Sequence, residues 1–228
     1  MSQYNPLSAL LDKQDFLLLD GALATELEAR GCHLADSLWS AKILLENPEL
    51  IREVHLDYFR AGAQCAITAS YQATPAGFAA CGFDEAQAKA LIGKSVELAR
   101  KAREAYLAEN PQAGTLLVAG SVGPYGAFLA DGSEYRGDYT LSSEDFQAFH
   151  RPRVEALLDA GVDLLAGETL PNFAEIQALA ALLTAYPRAR AWYSFTLRDS
   201  EHLSDGTPLR EVVTFLEHYQ QTVAVGIN

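Results

Sequence analysis

Two carboxylates follow short apolar runs of the sequence, at points where buried strands would end. Asp20 closes the run at residues 16–20, and Glu168 lies near the end of the run at residues 162–170. Each alone has a structural explanation, as a turn residue or as the partner of a distant arginine. Together they could cradle the ammonium group of a ligand, while Gly21 and the N–H groups after it could hold a carboxylate. Because an amino acid carries both groups, the pair favours an amino-acid site over a sugar or phosphate site.

Other apolar runs also end in polar side chains. These residues are Thr68, Ser70, Ser121, Thr169, Ser194, Thr196 and Asn228. Tyr71 adds an aromatic group directly after Ser70. Candidate groups spread over many strand ends are typical of the active site of a (β/α)8 barrel. Trp39 could offer a π face to a cationic ligand, or it could be a core residue.

The elements that must position these groups alternate along the chain. Strands are predicted at residues 16–20, 65–70, 115–121, 163–168, 190–196 and 222–227, and helices at 22–30, 38–45, 48–61, 84–109, 142–160, 172–186 and 209–219. We interpret residues 124–141, rich in Gly, Tyr and Asp, as a functional loop. Apolar strands separated by helices predict a parallel sheet covered by helices.

Two α/β architectures fit this pattern, a doubly wound sheet and a (β/α)8 TIM barrel. The first strand lacks the G-x-G-x-x-G sequence that a dinucleotide-binding sheet would carry there, which favours the barrel. Only six strands are predicted, whereas a closed barrel needs eight. We therefore expect residues 1–228 to form a single (β/α)8 barrel domain that is incomplete at its C-terminus, with about six of the eight βα units.

Composition excludes several classes of protein. The net charge of −13 opposes binding to nucleic acid or to anionic lipid. No apolar stretch is long enough to span a membrane, and the N-terminus does not look like a signal peptide. The sparse cysteines Cys32, Cys65 and Cys81 indicate a reducing cytoplasm. The five histidines show no metal-binding spacing, and we expect His55, His150 and His218 on helix surfaces.

An ordered set of motifs resembles one known family. The segments DGALATELEARG, TASYQAT, AGSVGPYGA, GETLPN-x-x-E and VGIN occur in the order and at the strand ends typical of the homocysteine S-methyltransferases. The resemblance spans the 228 residues, and the sequence looks most similar to bacterial members of the family that use S-methylmethionine. It implies transfer of a methyl group from a sulfonium donor, S-methylmethionine or S-adenosylmethionine, to the thiolate of homocysteine, giving methionine. Homocysteine and this donor are the expected partners.

The resemblance also implies which residues take part. Asp20 and Glu168 would hold the homocysteine ammonium group, and backbone near Gly21 and Thr68 its carboxylate. The full set of implied substrate-binding residues is Asp20, Gly21, Trp39, Thr68, Ser70, Tyr71, Glu168 and Asn228.

Family members are zinc enzymes with three thiolate ligands. One ligand would be a cysteine immediately after Asn228, in a G-x-N-C motif, and the others a later Cys-Cys pair. Cys32, Cys65 and Cys81 match none of these positions. We therefore expect no metal ligand and no catalytic residue within residues 1–228, no zinc bound to them, and no methyl transfer by them alone.

Two other functions stay open from the residues themselves. The first is a metal-free barrel lyase or isomerase that uses Asp20 and Glu168 as acid and base. The second is a non-catalytic amino-acid-binding barrel.

Overall fold

A parallel sheet whose strands lie in chain order forms the centre of the fold. The computed structural model describes residues 5–32 and 39–228. Its strands are β1 (Cys65–Ile67), β2 (Leu117–Val122), β3 (Leu164–Leu170), β4 (Ala191–Phe195) and β5 (Thr222–Ile227). They pair in the order β1-β2-β3-β4-β5, and every pair is parallel. This order excludes the doubly wound alternative, whereas the closed (β/α)8 barrel remains a prediction.

Helices connect these strands, and most of the predicted helices are confirmed. The helices are α1 (Ser8–Leu11), α2 (Leu23–Ala29), α3 (Trp39–Glu46), α4 (Pro48–Arg60), α5 (Pro75–Ala80), α6 (Glu85–Glu109), α7 (Tyr125–Leu129), α8 (Ser133–Arg136), α9 (Ser143–Asp159), α10 (Phe173–Leu183) and α11 (Leu209–Leu216). The predicted loop at residues 124–141 contains two of them, α7 and α8, which sequence analysis missed. Glycines with positive φ, Gly132 and Gly137, flank α8 and allow the chain to turn at both of its ends.

Side chains cap several of these helices at their first turn. Ser142 accepts a hydrogen bond from the N–H of Asp145 at the start of α9, and Asn172 accepts one from the N–H of Glu175 at the start of α10. These bonds satisfy donors that have no partner inside the helix. Asn47, by contrast, precedes α4 without forming a side-chain cap. The starts of α9 and α10 are thus well defined by local sequence.

The predicted first strand is wrong in extent. Residues 16–20 contribute one isolated parallel bridge, between Leu19 and Cys65, flanked by backbone hydrogen bonds from the Gln64 N–H to the Leu18 carbonyl and from the Asp20 N–H to the Cys65 carbonyl. The run is exposed, since Phe16 is 69% and Leu18 48% accessible. Because most of its apolar side chains stay exposed, this segment gains little burial that would extend the bridge into a full ladder.

The two faces of the sheet bury different sets of residues. One face packs against the long helices and contains the main core, including Val118, Leu165 and Tyr193. The other face forms a smaller cluster that Leu7 and Leu10 close at one end. Its members are Leu7, Leu10, Cys65, Leu117, Ala119, Leu164, Ala166 and Trp192. Since side chains alternate along a strand, this second face continues through the next inward positions, Ser121 and Glu168.

Membrane insertion of a helix finds no support in the part of the chain that the structure describes. None of its helices combines the length and the apolar character needed to cross a bilayer.

Candidate active site at the carboxyl ends of the strands

A cavity of about 580 Å³ opens at the carboxyl ends of β1, β2 and β3. The residues that line it are Asp20, Gly21, Ala22, Leu23, Ala24, Ile67, Thr68, Ala69, Tyr71, Gln72, Ser121, Tyr135, Glu168, Thr169 and Asn228. Of the eight predicted substrate-binding residues, six are thus brought together: Asp20, Gly21, Thr68, Tyr71, Glu168 and Asn228. Ser70 does not line this cavity, and the side chain of Trp39 lies outside the described residues.

Glu168 contributes a carboxylate to this cavity, and its pKa is strongly shifted. Its carboxylate accepts a hydrogen bond of 2.9 Å from the Ser121 hydroxyl, and it forms no ion pair within residues 5–32 and 39–228. Burial, and to a lesser extent the negative charge of Asp20, raise the pKa of Glu168 to about 7, although the Ser121 hydrogen bond acts in the opposite direction. A carboxylate in this state gains from a cationic ligand, because the cation would restore the stability of its charged form.

Asp20 is more fully engaged within the protein. One oxygen, Oδ2, accepts a hydrogen bond of 3.0 Å from the Ile67 N–H and lies 3.4 Å from Nδ1 of His55. The side chains of Asp20 and His55 are 4% and 0% exposed. Asp20 therefore lines the cavity at the edge of the sheet, next to the backbone of Ile67 and the imidazole of His55.

The surface position predicted for His55 and His150 is wrong, because both side chains are fully buried. A sequence signal existed: His55 lies four residues after Ile51 and four before Phe59, so it falls on the apolar stripe of α4. His150 lies in the same way between Phe146 and Val154 on α9. The third histidine, His218, is exposed as predicted.

Gly21 has a structural role that sequence analysis did not foresee. A Cβ atom at this position would lie 2.7 Å from the hydroxyl oxygen of Tyr58, so a larger residue here would displace the end of the tyrosine side chain. Tyr58 also donates a hydrogen bond of 3.4 Å to the Ala22 carbonyl. The backbone that follows, through Ala24, lines the cavity and starts α2.

The hydroxyl groups of Thr68 and Ser70 join the end of β1 to β2 through the backbone of Ser121. Ser70 donates to the Ser121 carbonyl at 2.8 Å, so the 2.7 Å bond between Thr68 and Ser70 uses the Thr68 proton. Thr68 in turn accepts from the Ser121 N–H, and its own N–H donates to the Ala119 carbonyl. Ser70 is completely buried and acts as a support for Thr68. Neither donor of Thr68 is therefore free to bind a ligand carboxylate.

The opposite wall of the cavity contains Thr169, which has a left-handed backbone with φ of 61°. Asn228 donates a hydrogen bond of 2.6 Å from Nδ2 to the Thr169 hydroxyl, and its N–H donates to the Phe195 carbonyl. Burial raises the pKa of the Tyr71 hydroxyl, which a hydrogen bond to Thr169 opposes. Sequence analysis placed Thr169 and Ser121 at strand ends but assigned them no role, and it did not single out Gln72.

The described residues do not fit a protein-bound metal ion. No group of three His, Cys, Asp or Glu side chains in residues 5–32 and 39–228 could hold one. Cys65 is buried at the amino end of β1, away from the cavity, and its burial raises the pKa of the thiol. All three cysteines are free thiols.

Comparisons with known proteins agree on one family. The homocysteine S-methyltransferase family matches residues 17–228. The homocysteine S-methyltransferase of Escherichia coli strain K12 is 87% identical over 228 residues, which are all of this chain and 74% of that protein. The homocysteine S-methyltransferase YbgG of Bacillus subtilis is 53% identical over 98% of this chain and 72% of its own length.

Solved structures give the same result. The metallated form of the homocysteine methyltransferase MmuM from E. coli superimposes with a TM-score of 0.97, at 87% identity, over 98% of this chain and 78% of that one. Fold, cavity and relatives together define a methyltransferase with a parallel α/β fold. The chain belongs to the homocysteine S-methyltransferase family.

Proposed function

We propose that this protein binds homocysteine in the cavity at the strand ends and serves its S-methylation to methionine. The observation that carries the proposal is Glu168, a half-buried carboxylate without a cationic partner among the described residues, in the same cavity as Asp20. An ammonium group placed between the two would neutralise both charges. Family membership supplies the chemical identity of the ligand. It does not favour a lyase, an isomerase or a non-catalytic binding protein.

The carboxylate of the substrate needs a different part of the cavity. Because both donors of Thr68 are used within the protein, we assign the carboxylate to the backbone between Gly21 and Ala24. The first N–H groups of α2 lie in this stretch and have no acceptor inside the helix. This assignment narrows the prediction from sequence, in which Thr68 shared the role.

The methyl donor is proposed to be S-methylmethionine, which fits a relative named MmuM. The homocysteine thiol loses its proton, the thiolate attacks the methyl carbon, and the carbon–sulfur bond to the sulfonium breaks as its electron pair returns to sulfur. Both products are then methionine. The aromatic side chains of Tyr71 and Tyr135 line the cavity and could face the sulfonium cation.

Zinc is proposed as the metal of the family reaction, and a metallated form of one relative supports a metal. The thiolate ligands implied by the family motifs are not among residues 1–228, and the described residues do not form a metal site. We therefore assign these residues to substrate binding and derive no step through a metal. We further propose that the sheet belongs to a (β/α)8 barrel in one domain, and that the protein works on small molecules in the cytoplasm.

Calorimetry with two ligands tests the proposal. Homocysteine is compared with 4-mercaptobutanoate, which has the same thiol and carboxylate but no amino group. We expect homocysteine to bind at least roughly tenfold more tightly, because the analogue leaves Glu168 and Asp20 without a cation. Equal affinity for the two ligands would refute the ammonium cradle. Metal analysis and a methyl-transfer assay on a verified 1–228 chain complete the test, since we expect neither zinc nor turnover there.

A further inference from the structure

A cluster of three fully buried side chains that can carry charge lies between α9 and α10: His150 and Arg153 on α9 and Glu175 on α10. Nε2 of His150 lies 2.8 Å from Oε1 of Glu175, and Nδ1 lies 3.0 Å from Nη2 of Arg153. A guanidinium group only donates hydrogen bonds, so Nδ1 must be the acceptor. The imidazole proton is therefore on Nε2 and is donated to Glu175. Burial lowers the pKa of His150, in agreement with a neutral ring.

Arg153 extends this chain of hydrogen bonds to the loops beside the cavity. Nη1 donates to the Tyr71 carbonyl at 2.7 Å, and Nη2 donates to the Gly123 carbonyl at 2.5 Å. Gly123 itself donates its N–H to the Tyr71 carbonyl. A Cβ atom on Gly123 would lie 2.5 Å from that oxygen, so glycine is required for the two loops to meet. One guanidinium thus joins the loop after β1 to the loop after β2.

Glu175 forms hydrogen bonds to the segment 124–141, which also borders the cavity. Oε1 accepts the Tyr125 N–H at 2.6 Å, and Oε2 accepts a hydrogen bond from the Tyr139 hydroxyl. These residues lie near the two ends of the segment 124–141, which contributes Tyr135 to the cavity. Glu175 is also the last residue of the GETLPN-x-x-E motif. Because its side chain does not line the cavity, substrate binding does not explain the presence of a glutamate at this position.

We propose that Arg153, His150 and Glu175 are positioning residues, which hold Tyr71 and the segment 124–141 at the distance that the substrate site requires. The inference rests on the proposed function. None of the three side chains lines the cavity. Nevertheless, Arg153 bonds to the backbone carbonyl of Tyr71, and Glu175 bonds to Tyr125 and Tyr139, which lie on either side of the cavity-lining Tyr135 in the sequence. Burying such groups is costly, and apolar side chains would fill the same space without that cost.

The main test compares two arginines. Arg153→Lys keeps the positive charge but loses the planar fork that reaches two carbonyls and an imidazole. Arg103→Lys is the matched control, because Arg103 also bonds to a carbonyl, that of Leu116, and to a carboxylate, that of Asp163, but at the amino ends of the strands. Homocysteine binding is measured by calorimetry well below each melting temperature. We expect Kd to rise roughly tenfold for Arg153→Lys and to stay within about twofold for Arg103→Lys.

Hydrogen exchange gives a second readout that does not depend on the ligand. In Arg153→Lys we expect faster exchange in residues 69–73 and 124–141, with the amides of β3 and β4 unchanged. Tyr139→Phe removes one hydroxyl from Glu175 and serves as a milder variant if Arg153→Lys does not fold. It should loosen residues 124–141 alone.

The outcomes separate the two proposals. If the unmodified protein does not bind homocysteine, the proposed function fails and this inference fails with it. If homocysteine binds but the two arginine variants change Kd equally, or neither changes it, the proposed function stands and the positioning role is refuted. The positioning role would also be refuted if hydrogen exchange became faster across the whole sheet in both Arg153→Lys and Tyr139→Phe. In that case the network would contribute to overall stability only.

Discussion

Two carboxylates face the same cavity, but the molecule holds them in different ways. Glu168 lies on β3, between β2 and β4, directly after Gly167, where the pairing of β3 with β4 shifts in register. Asp20 follows a segment that pairs through the single bridge of Leu19 and Cys65. Asp20 accepts a hydrogen bond from the Ile67 N–H and has the His55 imidazole 3.4 Å away, whereas Glu168 accepts one hydrogen bond from a serine hydroxyl.

The two carboxylates therefore differ both in their position in the sheet and in how their charge is compensated. The carboxylate on the central strand, Glu168, is poorly compensated, and it therefore has the most to gain from a bound cation. The member at the edge of the sheet is already satisfied in part. We conclude that Glu168 should dominate ligand affinity, and that Asp20 should contribute less and depend more on its protein partners.

The largest expected effect is on ligand binding by Glu168→Gln. The amide keeps the shape and can still accept the Ser121 hydrogen bond, but it cannot neutralise an ammonium group. We expect the affinity for homocysteine to fall roughly 100-fold, as for truncation of a buried charge pair. Calorimetry with 4-mercaptobutanoate is the control, because its affinity should change little. An equal loss for both ligands would show that the variant disturbs the cavity and not the ammonium contact.

The next effect concerns stability and pH in the empty protein. The folded-state pKa of Glu168 is about 7, above its usual value of 4.5, so between these values the folded protein binds more protons than the unfolded chain. Glu168 therefore lowers stability as pH rises from about 4.5 to about 7, and the loss is complete above that. We expect Glu168→Gln to be more stable than the unmodified protein at pH 8, by on the order of 2 kcal/mol, and to show little difference at pH 4.5.

Urea denaturation at the two pH values measures this difference. Ligand binding gives a related result, since a bound ammonium group would lower the Glu168 pKa and release a proton near pH 7. The binding enthalpy should then vary with the ionisation enthalpy of the buffer. A Gln variant that is no more stable than the unmodified protein at pH 8 would mean that water or a counter-ion already solvates this carboxylate.

A smaller effect is expected for Asp20→Asn. The asparagine oxygen can still accept the Ile67 N–H, so the local backbone should persist. We expect homocysteine affinity to fall roughly tenfold, which corresponds to about 1.4 kcal/mol. Affinity for a neutral thiol should not change. If Asp20→Asn costs more than Glu168→Gln, the order of the two carboxylates inferred from their surroundings is wrong.

The smallest effect concerns packing at the edge of the sheet. Leu18 is 48% exposed and Leu165 is 1% exposed, although both lie within strands predicted from the sequence. We expect Leu18→Ser to change the free energy of unfolding by less than about 0.5 kcal/mol. Leu165→Ala is the contrasting variant and should cost roughly 2–5 kcal/mol. A loss of similar size for both would show that the edge segment is packed in solution.

Local sequence predicted the elements better than it predicted their surroundings. Apolar runs and helix caps placed five strands in order and brought Glu168 to an inward position, because alternation along a strand is a local property. The run at residues 16–20 looks equally strand-like, but its pairing depends on neighbours at the edge of the sheet. The number of residues of this segment that pair as a strand could not be predicted from its composition alone.

Burial of charged groups was harder to predict. His55 and His150 were assigned to the surface by residue type, although their spacing from apolar neighbours indicated otherwise. The contact of Arg153 with the Tyr71 carbonyl joins residues 82 positions apart, and no local pattern contains it. The room that Gly21 leaves for a ligand stays a prediction, while the room that it leaves for the Tyr58 side chain had no signal in the local sequence.

The order of the strands has a consequence for how the chain is made. Since β2 pairs with β1, β3 with β2, and so on to β5, each strand meets a partner that the ribosome has already released. Within β1 to β5, each strand after the first can pair with the strand made just before it, so this part of the sheet can grow in the direction of synthesis. Chains stalled after β3 should therefore protect the amides of β1 and β2 from exchange. If protection appears only after β5 has emerged, assembly is instead a single late event.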